Sequence, residues 1–107
     1  MRVVKVNPGI CGYITELKVV STENNYNYEV TIETECPHIV DFKNDLTTFN
    51  LLDETRNVFG QKIRDISLKH IRGSCIGCLI PPGILKAAQA DAGLALAANA
   101  DIQFIED

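Results

Sequence analysis

Apolar and polar positions alternate along the first third of the chain and recur at helical spacing along the rest. Met1–Val6 alternates valine with basic residues and reads as a short strand, broken by Asn7-Pro8-Gly9. Tyr13–Ser21 is rich in β-branched residues, with Val19 and Val20 favouring a strand. After a polar turn at Glu23-Asn24-Asn25, Tyr28, Val30 and Ile32 fall on one face and Glu29, Thr31 and Glu33 on the other. Tyr13–Glu35 is therefore expected to be an antiparallel hairpin with one solvated face, ended by Cys36-Pro37.

Beyond the hairpin the period changes. Ile39, Phe42, Leu46 and Phe49 stand at the spacing of an amphipathic helix of about three turns. Asn50–Gly60 is ambiguous by period, with Asp53 a candidate cap for a short helix that Gly60 ends. Ile63, Ile66, Leu68 and Ile71 mark a further helical or irregular apolar piece that stops at Gly73. A last helix is expected from Pro82, a residue suited to a helix start, through Ile84, Leu85, Ala88, Ala92 and Ala95 to about Ala98. Its alanines and Gly93 allow close approach to a sheet or another helix. Ile102, Phe104 and Ile105 look like a closing strand that pairs with the N-terminal ones. The order β-β-β-α-(α)-α-β, without repeats or linkers, predicts one α+β domain over residues 1–107. Its architecture is a two-layer sandwich, a small mostly antiparallel sheet with helices on one face.

Composition narrows the function. The 107 residues are 46 % hydrophobic and 22 % charged, enough to bury one core without help from disulfides or metal. The net charge of −4, from 10 basic and 14 acidic residues, argues against a nucleic-acid binder. The densest basic group, Lys62, Arg64, Lys69, His70 and Arg72, is interleaved with isoleucines and reads as a solvated face. There is no secretory signal pattern and no apolar run of membrane-spanning length, so no membrane association is expected. A cytoplasmic location is the expectation, and there cysteines serve metal or redox chemistry more often than structural disulfides.

The four cysteines follow the pattern Cys11-x24-Cys36-x38-Cys75-x2-Cys78. Two thiolates three residues apart on a tight loop can face one ion. Cys11 sits in the loop Pro-Gly-Ile-Cys-Gly and Cys36 at a strand exit, so all four are at element ends, where side chains converge. Core cysteines sit within strands or helices more often. The expectation is a single thiolate site made by Cys11, Cys36, Cys75 and Cys78. It suits an iron–sulfur cluster or, as the alternative, zinc. Ile76, Leu79, Ile80, Pro81 and Pro82 make a greasy surround that favours the cluster, while the prolines withhold N–H donors to sulfur. Such a module serves as an electron carrier, a cluster carrier or an accessory protein, with a protein as partner and a homo-oligomer compatible with it.

Two other readings stand beside it: a thiol–disulfide protein using Cys75 and Cys78, and a structural zinc domain that offers a binding surface. Against the first, a helix starting at Pro82 leaves the pair off its first turn, where the dipole lowers a thiol pKa. Four packing cysteines are the bland reading. His38 lies two residues after Cys36 and reads as solvent-facing, with a supporting role to a thiolate as the sharper possibility; His70 reads as surface. Glu33 and Glu35 share a strand face and read as solvated carboxylates. No nucleophile–base–orienter set, phosphate loop or dinucleotide fingerprint is present, and nothing demands an enzyme.

Specific words stand at and after the cysteines: Asn7-Pro8-Gly9-Ile10-Cys11-Gly12, Glu35-Cys36-Pro37, and Cys75-x2-Cys78 followed by Ile80-Pro81-Pro82-Gly83-Ile84-Leu85-Lys86-Ala87 and Ala92-Gly93-Leu94-Ala95-Leu96. On these the chain resembles, over nearly its full length, a family of small uncharacterised four-cysteine proteins from anaerobic bacteria and archaea. Ala97 stands where that family usually has proline. The resemblance implies an oxygen-free cytoplasm in which iron–sulfur chemistry is common, and no specific activity.

Overall fold

The structure is a computed structural model that describes residues 1–22 and 26–106. Four strands form one antiparallel sheet: β1 (Arg2–Val6), β2 (Thr15–Ser21), β3 (Asn27–Glu33) and β4 (Thr48–Asn50), in the order β1-β2-β3-β4. The helices are α1 (Pro37–Asp45), α2 (Leu51–Glu54), α3 (Lys62–His70) and α4 (Ile80–Asp91), with a 3-10 turn at Gly73–Cys75. The expected α+β class and antiparallel sheet are therefore present. The polar turn expected at Glu23-Asn24-Asn25 lies outside the described residues.

The alternation decides which sheet face is covered. Thr15, Leu17 and Val19 of β2 and Tyr28, Val30 and Ile32 of β3 are buried, while Glu16, Lys18, Glu29, Thr31 and Glu33 are exposed. The pairing Leu17↔Ile32 and Val19↔Val30 aligns the two apolar rows, as a two-residue period requires. Ile39, Phe42, Leu46, Leu51, Ile63, Ile80 and Ile84 from the helical layer complete the core.

Three expectations need correction. The helix expected through Phe49 ends at Asp45, and Leu46 turns to an extended backbone. The β-branched Thr47-Thr48 that follows favours a strand, and the Val30 N–H donates to the Thr47 carbonyl. Phe49 is still buried, but as part of β4, paired with Tyr28 and stacked on it at 5.8 Å. A helical period and a strand reached by a short turn place the same four apolar residues in the core, so the pattern alone did not separate them. Secondly, the cap of α2 is Asn50, whose side chain accepts from the Asp53 N–H at 3.1 Å; Asp53 is inside the helix.

The third correction concerns the last helix and the closing strand. Helix α4 runs from Ile80 to Asp91, starting and ending earlier than expected. Gly93 takes φ +75°, and the N–H groups of Gly93 and Leu94 return to the carbonyls of Ala90 and Gln89. That is a Schellman stop, which glycine fits without strain. Residues 95–106 form no strand, and Ile102, Phe104 and Ile105 are exposed, so the fourth strand is Thr48–Asn50 instead.

The glycine that permits close approach is Gly83. A Cβ there would stand 2.9 Å from Val6 Cγ2 and 3.2 Å from Leu17 Cδ1. This contact seats the first turn of α4 on β1 and β2. Valine cannot rotate freely out of the way. Gly83→Ala is expected to cost ~1–3 kcal/mol and lower Tm by roughly 5–15 °C in a thermal melt.

Candidate functional site

Sheet register brings the cysteine-bearing loops to one end of the molecule. Val6 pairs with Thr15 and Glu16 with Glu33, so the end of β1, the start of β2 and the end of β3 lie together. Cys11 is in the β1–β2 connection and Cys36 lies just beyond Thr34 and Glu35 at the end of β3. The Gly83 contact with Val6 and Leu17 brings the start of α4, and with it Cys78, to the same end.

Each cysteine is held by local geometry. In the loop of Cys11, the Asn7 side chain accepts from the Gly9 N–H at 3.1 Å, and the Gly12 N–H donates to the Gly9 carbonyl at 3.0 Å. Cys36 is the N-cap residue of α1, with Pro37 at the first helical position. Its own N–H donates to Thr34 Oγ1 at 3.1 Å, and that hydroxyl bonds Thr15 Oγ1 at 2.8 Å. Thr15 is fully buried and also donates to the Tyr13 carbonyl at 3.0 Å. Thr15 and Thr34 thus fix the backbone of Cys36 to the first residue of β2. Neither was singled out from sequence, although Thr34 at two positions before Cys36 is the spacing of a hydroxyl turn.

Cys75 and Cys78 close one turn, with the Cys78 N–H donating to the Cys75 carbonyl at 2.9 Å. Helix α4 begins at Ile80, only two residues after Cys78, with prolines at its second and third positions. The expectation that this helix starts too late to act on the pair is therefore corrected. Prolines carry no N–H, so the Ile80 N–H is the donor the helix start offers, and it lowers the Cys78 thiol pKa. Burial outweighs it and pushes that thiol above its ordinary value. The negative charges of Cys36, Cys75 and Cys11 raise it further, in that order.

The site is half-buried rather than enclosed. Cys36 and Cys78 pack against the core, Cys75 is partly covered and Cys11 is exposed. Ile80 and Pro81 are buried, but Ile76 is 87 % exposed, so the greasy surround expected from sequence is one-sided. Among the described residues, no three histidine, cysteine or acidic side chains stand in an arrangement ready to hold a metal ion. His38 is exposed, as expected. His70 is tied to Asp45, which also pairs with Lys69 at 3.2 Å. The concavity of about 410 Å³ beside Tyr28, Phe49 and Asn50 contains no cysteine.

The comparisons with known proteins add one decisive match. The model of a family of unknown function (DUF6951) matches residues 2–104, a span that includes all four cysteines. The chain belongs to this family. No curated protein and no solved structure matches this DUF6951 chain. Among its described residues, no helix is long and apolar enough to cross a membrane.

The raised Cys78 thiol gives this DUF6951 domain a pH signature. A thiol pKa higher in the folded than in the unfolded chain adds stability that is complete below the unfolded value, about 8.5. That stability is lost as pH rises through the folded value. Without metal, the urea midpoint should fall from pH 8 to pH 10, and the fall should be smaller in Cys78→Ser.

Proposed function

We propose that this domain is a small metal- or iron–sulfur-cluster-binding module in which Cys11, Cys36, Cys75 and Cys78 supply four thiolates. An iron–sulfur cluster is the favoured occupant and zinc the alternative. What supports this most is that sheet register and the Gly83 contact bring the segments carrying Cys11, Cys36 and Cys78 to one sheet end, with Cys75 one turn from Cys78 and the charges of Cys36, Cys75 and Cys11 raising the Cys78 thiol. Mutual repulsion of that kind disfavours four free thiolates and is relieved when a cation neutralises them. The donor set fits: four soft sulfur ligands are what Zn²⁺ or an iron–sulfur cluster takes. The side chains must still turn inward to share one centre; Cys11 lies on an exposed loop. When bound, a cluster supplies one-electron chemistry. The chain's own part is to position sulfur, supply the Ile80 N–H and shield one side with Ile80 and Pro81.

A protein partner in a reducing cytoplasm completes the reading. Ile10, Tyr13, Ile14 and Ile76 are exposed on the two loops that carry cysteines, a setting for handing over an electron or a cluster. The start of α4 beside Cys78 also favours the thiol–disulfide reading for Cys75 and Cys78. Against it, the buried thiol is pushed up, the reverse of a reactive nucleophile. The deciding experiment is elemental analysis and an absorbance spectrum on protein purified without oxygen. Stoichiometric iron and sulfide with a sulfur-to-iron band support the cluster, and stoichiometric zinc alone supports the alternative. Absence of both removes the proposal.

A further inference from the structure

The segment after α4 exposes an unusual run of apolar side chains. Leu96, Ile102, Phe104 and Ile105 are all exposed, Phe104 to 85 % and Ile105 to 96 %. Single exposed apolar residues are ordinary, but a close-set run of them marks a contact surface. The run also has the composition of a strand, flanked by Asp101 and Glu106.

A matching vacancy lies on β1. Among the described residues this strand pairs only with β2, so its outer row of N–H and C=O groups has no ladder partner. Residues 95–99 pass beside Arg2–Val4 and, with α4, frame a concavity of about 210 Å³. Yet no backbone hydrogen bond joins the segment to β1 among the described residues. Val4 and Val6 are only half-buried at this rim of the core, and Val3 is exposed.

We propose that Ile102–Glu106 of one copy adds as a fifth strand, antiparallel to β1, in a second copy, with the exchange reciprocated across a two-fold axis. One register satisfies both faces. It sets Ile102 opposite Val6, Phe104 opposite Val4 and Glu106 opposite Arg2 on the core side. It also sets Gln103 opposite Lys5 and Ile105 opposite Val3 on the other. A slip by one residue would put Ile102 and Phe104 on the solvated face. Charge agrees with this pairing, because β1 carries Arg2 and Lys5 while the segment carries Asp101 and Glu106. Strand addition to an open edge is the recognition mode, and an isologous two-fold contact closes without leaving a free edge on β1. The proposal uses none of the thiol chemistry.

Light scattering and sedimentation on the full chain, in reducing buffer so that no disulfide links copies, test it. The wild type should have twice the chain mass. A chain stopped after Asn99 and the variant Phe104→Asp should each show the single-chain mass with unchanged far-UV circular dichroism. In a mixed sample of differently labelled copies, a nuclear Overhauser contact between Val4 and Phe104 should run between copies. A wild type that stays single at the highest attainable concentration overturns the proposal. So does a dimer that survives the truncation, or a Val4–Phe104 contact within one copy.

Discussion

Serine in place of Cys36, Cys75 or Cys78 should reduce metal or cluster loading to near zero in oxygen-free protein, read as iron, sulfide and zinc per chain. The loss should exceed the roughly 10–100-fold that follows removal of an outer hydrogen-bond partner of a metal site. Serine is one atom different but has a hard, protonated oxygen in place of a soft thiolate, so the scaffold is retained and the ligand is lost. Cys11→Ser is the discriminating variant. A four-thiolate site loses its occupant with it. A thiol–disulfide pair at Cys75 and Cys78 keeps its two-electron couple. A structural zinc site loses zinc and, with it, stability. The circular dichroism of each metal-free variant should match metal-free wild type, because no cysteine is among the fully buried core side chains.

Glu54→Ala should be strongly destabilising, at about 3 kcal/mol, seen as a large fall in Tm. Glu54 is only 2 % exposed. Its carboxylate accepts from the N–H groups of Gln61 at 3.2 Å, Lys62 at 2.9 Å and Ile63 at 2.7 Å. These are donors at the start of α3 that no preceding turn satisfies, and the cap residue Gln61 makes no side-chain cap bond. The negative charge also meets the positive end of the helix dipole. Truncation would strand three donors and open a hole beside Ile63. Glu54→Gln keeps one acceptor and the volume, and should cost about half as much. Equal melting of Glu54→Ala and wild type would refute this role.

The hairpin and the covered face were readable because a two-residue period is unambiguous when it runs for seven residues, as in β3. The fold class followed from it. Phe49 and the strand around it were not readable, since its spacing from Leu46 satisfies a helix equally well and its pairing with Tyr28 is a distant contact. The end of α4 was a matter of glycine chemistry: Gly93 reads as a small packing residue until its positive φ is seen. Ile102–Ile105 has strand composition but pairs with no strand among the described residues, so local propensity and local structure part there. For the candidate site, the sequence placed all four cysteines at element ends, and Cys78 feels the other three. It did not reveal Thr15 and Thr34 as the tie on Cys36, nor Glu54, because the Thr15–Thr34 bond joins residues distant in sequence and the partners of Glu54 are backbone groups, which sequence patterns do not display.

The order β1-β2-β3-β4 has a further consequence for how the protein is made. Every strand pairs with its neighbour in sequence, and the β1–β2 and β2–β3 pairings close short loops at small entropic cost, while β3 and β4 are joined through α1. Contacts of that kind speed folding relative to sheets stitched from distant segments. During synthesis the chain emerges from its N-terminus, so β1, β2 and β3 can meet before the ribosome has reached Cys75. Cys11 and Cys36 would then wait, unshielded, at the end of a nascent sheet until the Cys75–Cys78 turn and α4 arrive. On the proposed reading, the length of that interval is set by chain elongation.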